Sequence, residues 1–155
     1  KKPAAKKQTK ATPSEPDQTS YEDDLLALAS MFPDVRDSLT QIMNTKLGSQ
    51  KREELKFALF ALPPHERLTD ELLNRLNIDQ DYGKIILLTA EEKYASWTPA
   101  DLMAEAMALA RRIIEKSRHK NKSELTDAIR EAETNGDYEK AAQLLDEYQQ
   151  LLNGE

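Results

Sequence analysis

The chain has no cysteine, so neither a disulfide framework nor a thiolate zinc site is open to it. Its two histidines, His65 and His119, stand far apart and have no second ligand at a metal-motif spacing, so no metal site is expected. Glycine is scarce, with four in 155 residues, aromatic residues make up 6%, and Ala, Leu, Glu, Lys and Gln are abundant, a balance that favours helix. No apolar run reaches the roughly 18 residues a membrane span needs, and no charged-then-apolar leader opens the chain; a cytoplasmic protein is expected. There is no P-loop and no Ser nucleophile with a spaced His. No catalysis and no cofactor are expected of these residues. The first residue is Lys rather than Met, which suggests a piece of a longer protein.

What is present is charge and helical periodicity. The net charge of −6 divides unevenly. Residues 1–20 hold five Lys against Glu15 and Asp17, a net of +3, and the remainder holds 17 basic and 26 acidic residues, a net of −9. An acidic body is repelled by nucleic acid overall, which makes protein the default partner. Residues 1–20 contain no apolar residue larger than Ala and read as a flexible basic linker.

Order is expected from Ser20, whose spacing to Asp23 resembles a capping box ahead of Leu25, Leu26, Leu28 and Ala29. Pro33 suits a first helical position, and Val35, Leu39, Ile42 and Met43 follow at helical spacing toward Gly48. A third helix is expected from Ser49 to the Pro63-Pro64 break, and a short fourth after an N-cap Thr69. Asp79–Ala95 suits helix or buried strand, and helix is chosen because no partner strand exists elsewhere. Trp97 is placed to staple the incoming chain ahead of Thr98-Pro99-Ala100-Asp101, the clearest helix start in the sequence. No Gly or Pro interrupts Ala100 to Asn135, and either one long helix or a bend near Ser117–Ser123 fits the loss of apolar residues there. The expected organisation is all-α: a helical bundle over 21–97, a long connecting helix over 98–122 and a C-terminal helical hairpin over 123–155.

The hairpin carries the most information. Asn135-Gly136-Asp137 supplies a left-handed helix stop and an acceptor for the next helix's free N–H groups. Beyond it Tyr138, Ala141, Leu145, Tyr148 and Leu152 recur at heptad spacing, widened by Leu144 and Leu151, against only Leu125, Ala128, Ile129 and Ala132 on the opposing arm. That is more apolar surface than two short helices can hide, so another surface is expected to cover the excess. Exchange of the hairpin between two copies is an alternative arrangement. Just upstream, Arg111, Arg112, Lys116, Arg118, Lys120 and Lys122 form a basic sector with Glu115 as its only acid, either a solvated helix face or a contact to nucleic acid.

The order of these elements carries a resemblance. A Lys- and Pro-rich tether, a bundle opening with Leu25-Leu26-Ala27-Leu28 and Phe32-Pro-Asp-Val-Arg36, a long helix, and a terminal Ile129-Arg-Glu-Ala-Glu, Gly136-Asp137 and Leu144-Leu145-Asp-Glu-Tyr148-Gln-Gln-Leu-Leu152 together resemble the C-terminal domain of a bacterial DnaG-type primase, over about Tyr21 to Glu155. The resemblance implies a helicase-binding module whose hairpin docks on the N-terminal domains of the hexameric DnaB-type replicative helicase. It would recruit a primase, the enzyme that makes RNA primers, to the bacterial replication fork, with the catalytic and zinc-binding parts lying upstream. Carried over by position, the helicase contacts would be Leu125, Ile129, Tyr138, Ala142, Leu144, Leu145, Tyr148, Leu151 and Leu152. The segment Ala132–Asp146 alone is also similar to the hairpin of the UvrB/UvrC excision-repair proteins, with Leu145 where that motif has Arg. Either resemblance implies protein–protein contact at the hairpin.

Overall fold

A computed structural model describes residues 14–154, and every regular element among them is helical. The order is α1 (Ser14–Met31), α2 (Pro33–Asp37), α3 (Thr40–Met43), α4 (Gln50–Phe60), α5 (Asp70–Arg75), α6 (Gln80–Tyr94), α7 (Pro99–Thr134) and α8 (Tyr138–Asn153). None is long and apolar enough to cross a membrane. The chain divides into two compact units that meet in sequence at Ile113 and Ile114, inside α7. The expected basic linker lies, as far as Pro13, outside the described residues. Helix α1 starts at Ser14 rather than at Ser20.

Helix α1 organises the first unit. Leu25, Leu26, Ala27, Leu28, Ala29 and Ser30 are all buried, so this stretch has no solvent side, the condition of a helix enclosed by others. Helices α2, α4 and α6 pack around it. Leu55 and Leu59 from α4, and Ile86, Leu87 and Ala90 from α6, complete the core with Leu102, Ala106, Leu109, Ala110 and Ile113 from α7. The early turns of α7 thus belong with the first unit, which runs to Ile113. No break occurs over Ser117–Ser123; without Gly or Pro the backbone ladder of α7 simply continues.

Local signals account for most helix starts. Ser49, Thr69, Asp79 and Thr98 accept from the backbone N–H groups of Arg52, Leu72, Tyr82 and Asp101, respectively. The single helix expected from Pro33 toward Gly48 is instead two short ones. Leu39, at φ −104°, ψ 36°, separates the two, and Ser38 Oγ donates to the Asp34 carbonyl at 3.1 Å at the end of the first. The break still buries Val35, Leu39 and Ile42. Asp79–Ala95 is helical, and its Gly83 has a steric reason: a Cβ there would stand 2.5 Å from Leu73 Cδ1 of α5.

Polar side chains tie the surrounding elements to α1. Asp23 accepts from Arg52 Nε at 2.8 Å and from the Tyr82 hydroxyl at 2.6 Å, so one carboxylate joins α1, α4 and α6. Asp24 accepts from Lys93 Nζ at 2.7 Å, and Glu22 from the Gly48 N–H at 2.8 Å. Burial opposes the charge on Arg52, but Asp23 outweighs it and holds the guanidinium's pKa above its ordinary value. Burial, then the bond to Asp23, pushes the Tyr82 phenol well up. Arg36 is buried as well; its guanidinium donates to the carbonyls of Glu66 and Pro63 and pins the loop after α4. Lys56 donates to the Thr45 carbonyl and to Glu53, both at 2.8 Å, so neither interior cation is left unpaired.

Two expected outcomes follow from this network. Tyr82→Phe removes a hydrogen bond to a carboxylate while leaving the Asp23–Arg52 pair, and urea unfolding should show a loss of about 1.5–3 kcal/mol. Burial raises the Glu22 carboxyl above its usual 4.5, against the Gly48 N–H and Arg52, which favour the ionised form. A raised folded-state pKa binds protons on folding, so the stability it contributes is present below the unfolded value and is lost as pH rises through the folded one. Wild type should therefore lose stability relative to Glu22→Gln as pH rises from about 4 toward neutrality. A difference constant across that range would contradict this assignment.

Candidate interaction surface

The second unit is the later part of α7 joined to α8 through a turn that its own residues specify. Gly136 takes φ +77°, and its N–H donates to the Glu133 carbonyl while the Asp137 N–H reaches back to the Ala132 carbonyl. These paired bonds satisfy the terminal carbonyls of α7. Asp137 Oδ1 then accepts from the Lys140 N–H at 3.1 Å and starts α8. The stop and start read from Asn135-Gly136-Asp137 are both present.

Helix α8 packs against α7 and sorts its apolar residues onto two sides. Ala141, Leu144, Tyr148 and Leu151, spaced three or four apart, are buried or half-buried and form the seam with Leu125, Ala128, Ile129 and Ala132. Only the two alanines in this seam are fully buried; being small, they let the backbones approach near the turn. Away from the turn, a shallow groove is lined by Asn121, Glu124, Leu125 and Ala128 from α7 and by Glu147, Gln150 and Leu151 from α8.

Tyr138, Leu145 and Leu152 lie outside the seam. They are 71%, 47% and 43% exposed and follow one another at seven-residue intervals, hence along one side of α8. Ala142, also exposed, stands between the first two. The nine residues expected to contact a partner therefore separate: Leu125, Ile129, Leu144, Tyr148 and Leu151 serve the hairpin's closure, whereas Tyr138, Ala142, Leu145 and Leu152 face solvent. The heptad reading ran these two sets together because a heptad does not distinguish adjacent sides of a helix about 80° apart.

The first unit exposes large apolar residues differently. Phe57 lies on α4, Ile85 and Leu88 one turn apart on α6, and Met107 on α7. Trp97 is partly exposed and meets the Tyr94 ring edge-on at 4.9 Å, so it packs onto the preceding helix. Burial, then Asp24 and Glu105, pushes the Tyr94 phenol up. A single exposed apolar residue is ordinary, whereas Ile85 and Leu88 on α6, and Tyr138, Leu145 and Leu152 on α8, each share one side of their helix.

In the basic sector, Arg111, Arg112, Lys116 and Lys120 are exposed and Arg118 and Lys122 half-buried. The Arg112 guanidinium stacks 4.7 Å from the centre of the Tyr21 ring. Sequence separation concealed one grouping: His65, at φ 70° in the loop after α4, comes within 4.8 Å of Asp34 and Asp37. All three are exposed, and exposed acids gather in this way without an ion.

The turn makes a direct forecast. Gly136→Ala places a Cβ in the left-handed region at a cost of about 1–2 kcal/mol. Amide exchange should accelerate across Ala141–Leu151 while the amides of Leu25–Ala29 keep their protection; unchanged exchange in α8 would show that the turn does not limit hairpin stability. No protein-family model, curated protein or solved structure matches the chain.

Proposed function

We propose that the hairpin is a protein-docking element and that its partner is the N-terminal domain of a hexameric DnaB-type replicative helicase, so that the chain recruits a primase to the replication fork. The observation that supports docking is the row of Tyr138, Leu145 and Leu152, exposed along one side of α8 while the hairpin closes through other residues. Tyrosine is among the residues enriched at the energetic centres of interfaces, and apolar neighbours around it exclude water. The choice of helicase rests on the resemblance to primase C-terminal domains in the order of elements and in the Leu144–Leu152 segment.

The test is titration against an isolated helicase N-terminal domain. Tyr138→Ala and Leu145→Asp should each weaken binding by roughly 30-fold or more, the effect of losing about 2 kcal/mol at an interface centre. Helical content should stay at the wild-type level, since neither side chain closes the seam. Binding as tight as wild type by both variants would remove the helicase from consideration and leave the row without that role.

A further inference from the structure

All of the chain's net negative charge lies in its last 33 residues. Residues 1–122 carry 20 basic and 19 acidic residues and residues 123–155 carry two and nine, giving +1 and −7, which sum to −6. The segment that supplies the exposed apolar row of α8 is therefore also the acidic end of the molecule.

Neither cation of that segment offsets the acids beside the row. Arg130 lies 3.6 Å from Asp127 on α7, and Lys140 stands about 200° round α8 from Tyr138, on the far side from the row. Glu139 and Asp146 each follow a row residue, Tyr138 and Leu145, by one position. At about 100° per residue they run parallel to the row, with Ala142 and Gln149 between, and all four are exposed. Glu139 and Asp146 have no ion-pair partner within 4.0 Å among the described residues. An apolar strip with unpaired carboxylates along its edge is complementary to a surface of the converse charge, and such complementarity sets partner choice and association rate more than affinity. A second copy of the chain would bring its own −7 against this one, a like-charge juxtaposition that opposes association. Nucleic acid is repelled in the same way.

We propose that the α8 row docks on an apolar protein face rimmed by Lys or Arg side chains opposite Glu139 and Asp146, and that the acidic hairpin draws this face in before the apolar contact forms. The inference rests on the reading of the row as a docking surface for the helicase N-terminal domain, and it specifies the charge that domain must present. At 0.01 M salt the Debye length of about 30 Å exceeds the roughly 24 Å length of the 16-residue α8, so its charges act together. At 0.15 M it is about 8 Å, and only the nearest charges act.

Stopped-flow association of the whole chain with the isolated helicase N-terminal domain, followed from about 10 to about 300 mM salt, tests the proposal. The association rate should fall by about tenfold or more over that range while the dissociation rate changes by no more than about twofold. The double variant Glu139→Gln, Asp146→Asn should lower the association rate at the lowest salt by roughly threefold or more, because rim charges act on encounter. Its dissociation rate and its helical content by circular dichroism should match wild type. Salt-independent rates, or a double variant that associates as fast as wild type at low salt, would overturn the proposal and leave the helicase reading standing. No association by wild type at any salt would reject the helicase reading and this inference with it. A wild-type dimer in sedimentation equilibrium that Leu145→Asp dissolves would also overturn it, because the row would then be covered by an equally acidic copy.

Discussion

Six consecutive residues of α1, Leu25 to Ser30, have no face that water can reach, and the first unit is built to enclose them. A single amphipathic neighbour cannot cover a helix that is apolar all round, so covering elements must approach from several directions. Placing them takes more than burial, because hydrophobic contact is non-directional. Direction comes from the acids immediately before the apolar stretch. Asp23 faces both Arg52 and Tyr82, and Asp24 faces Lys93, so the approach of α4 and α6 is fixed by hydrogen bonds at the end of the segment they bury.

The second unit follows another logic. Its fully buried apolar residues are two alanines, and its larger side chains are only half covered. A seam of that size contributes far less than the core around α1, since hydrophobic stabilisation scales with the apolar area removed from water. What defines the hairpin is backbone chemistry at the turn: a left-handed glycine, two reversed hydrogen bonds and an aspartate cap. Little of its surface is committed to its own fold.

The all-helical class was legible in the sequence because composition, caps and periodicity agree. The Ser49, Thr69 and Thr98 starts and the Gly136 stop act over three to five residues, a range that sequence inspection covers well. Other features depended on long-range contact. The division of α2 from α3 at Leu39 carries no Gly or Pro signal, and the close approach of Leu73 that requires a glycine at position 83 comes from another helix. The interior positions of Arg36 and Lys56 carry no local signal, because each is satisfied by backbone carbonyls of segments remote in sequence. In the hairpin, periodicity identified the apolar residues of α8 but not which arm claimed which; deciding that required the seam itself.

The two sides of α8 consequently stand under unequal constraint. A change at Leu144 or Tyr148 disturbs the pairing of the two arms, and any variant must first remain a hairpin. A change at Tyr138, Leu145 or Leu152 meets no such filter. One side can therefore drift through many sequences while the other holds the scaffold constant. A helix divided in this way can change its exposed face without first changing its fold.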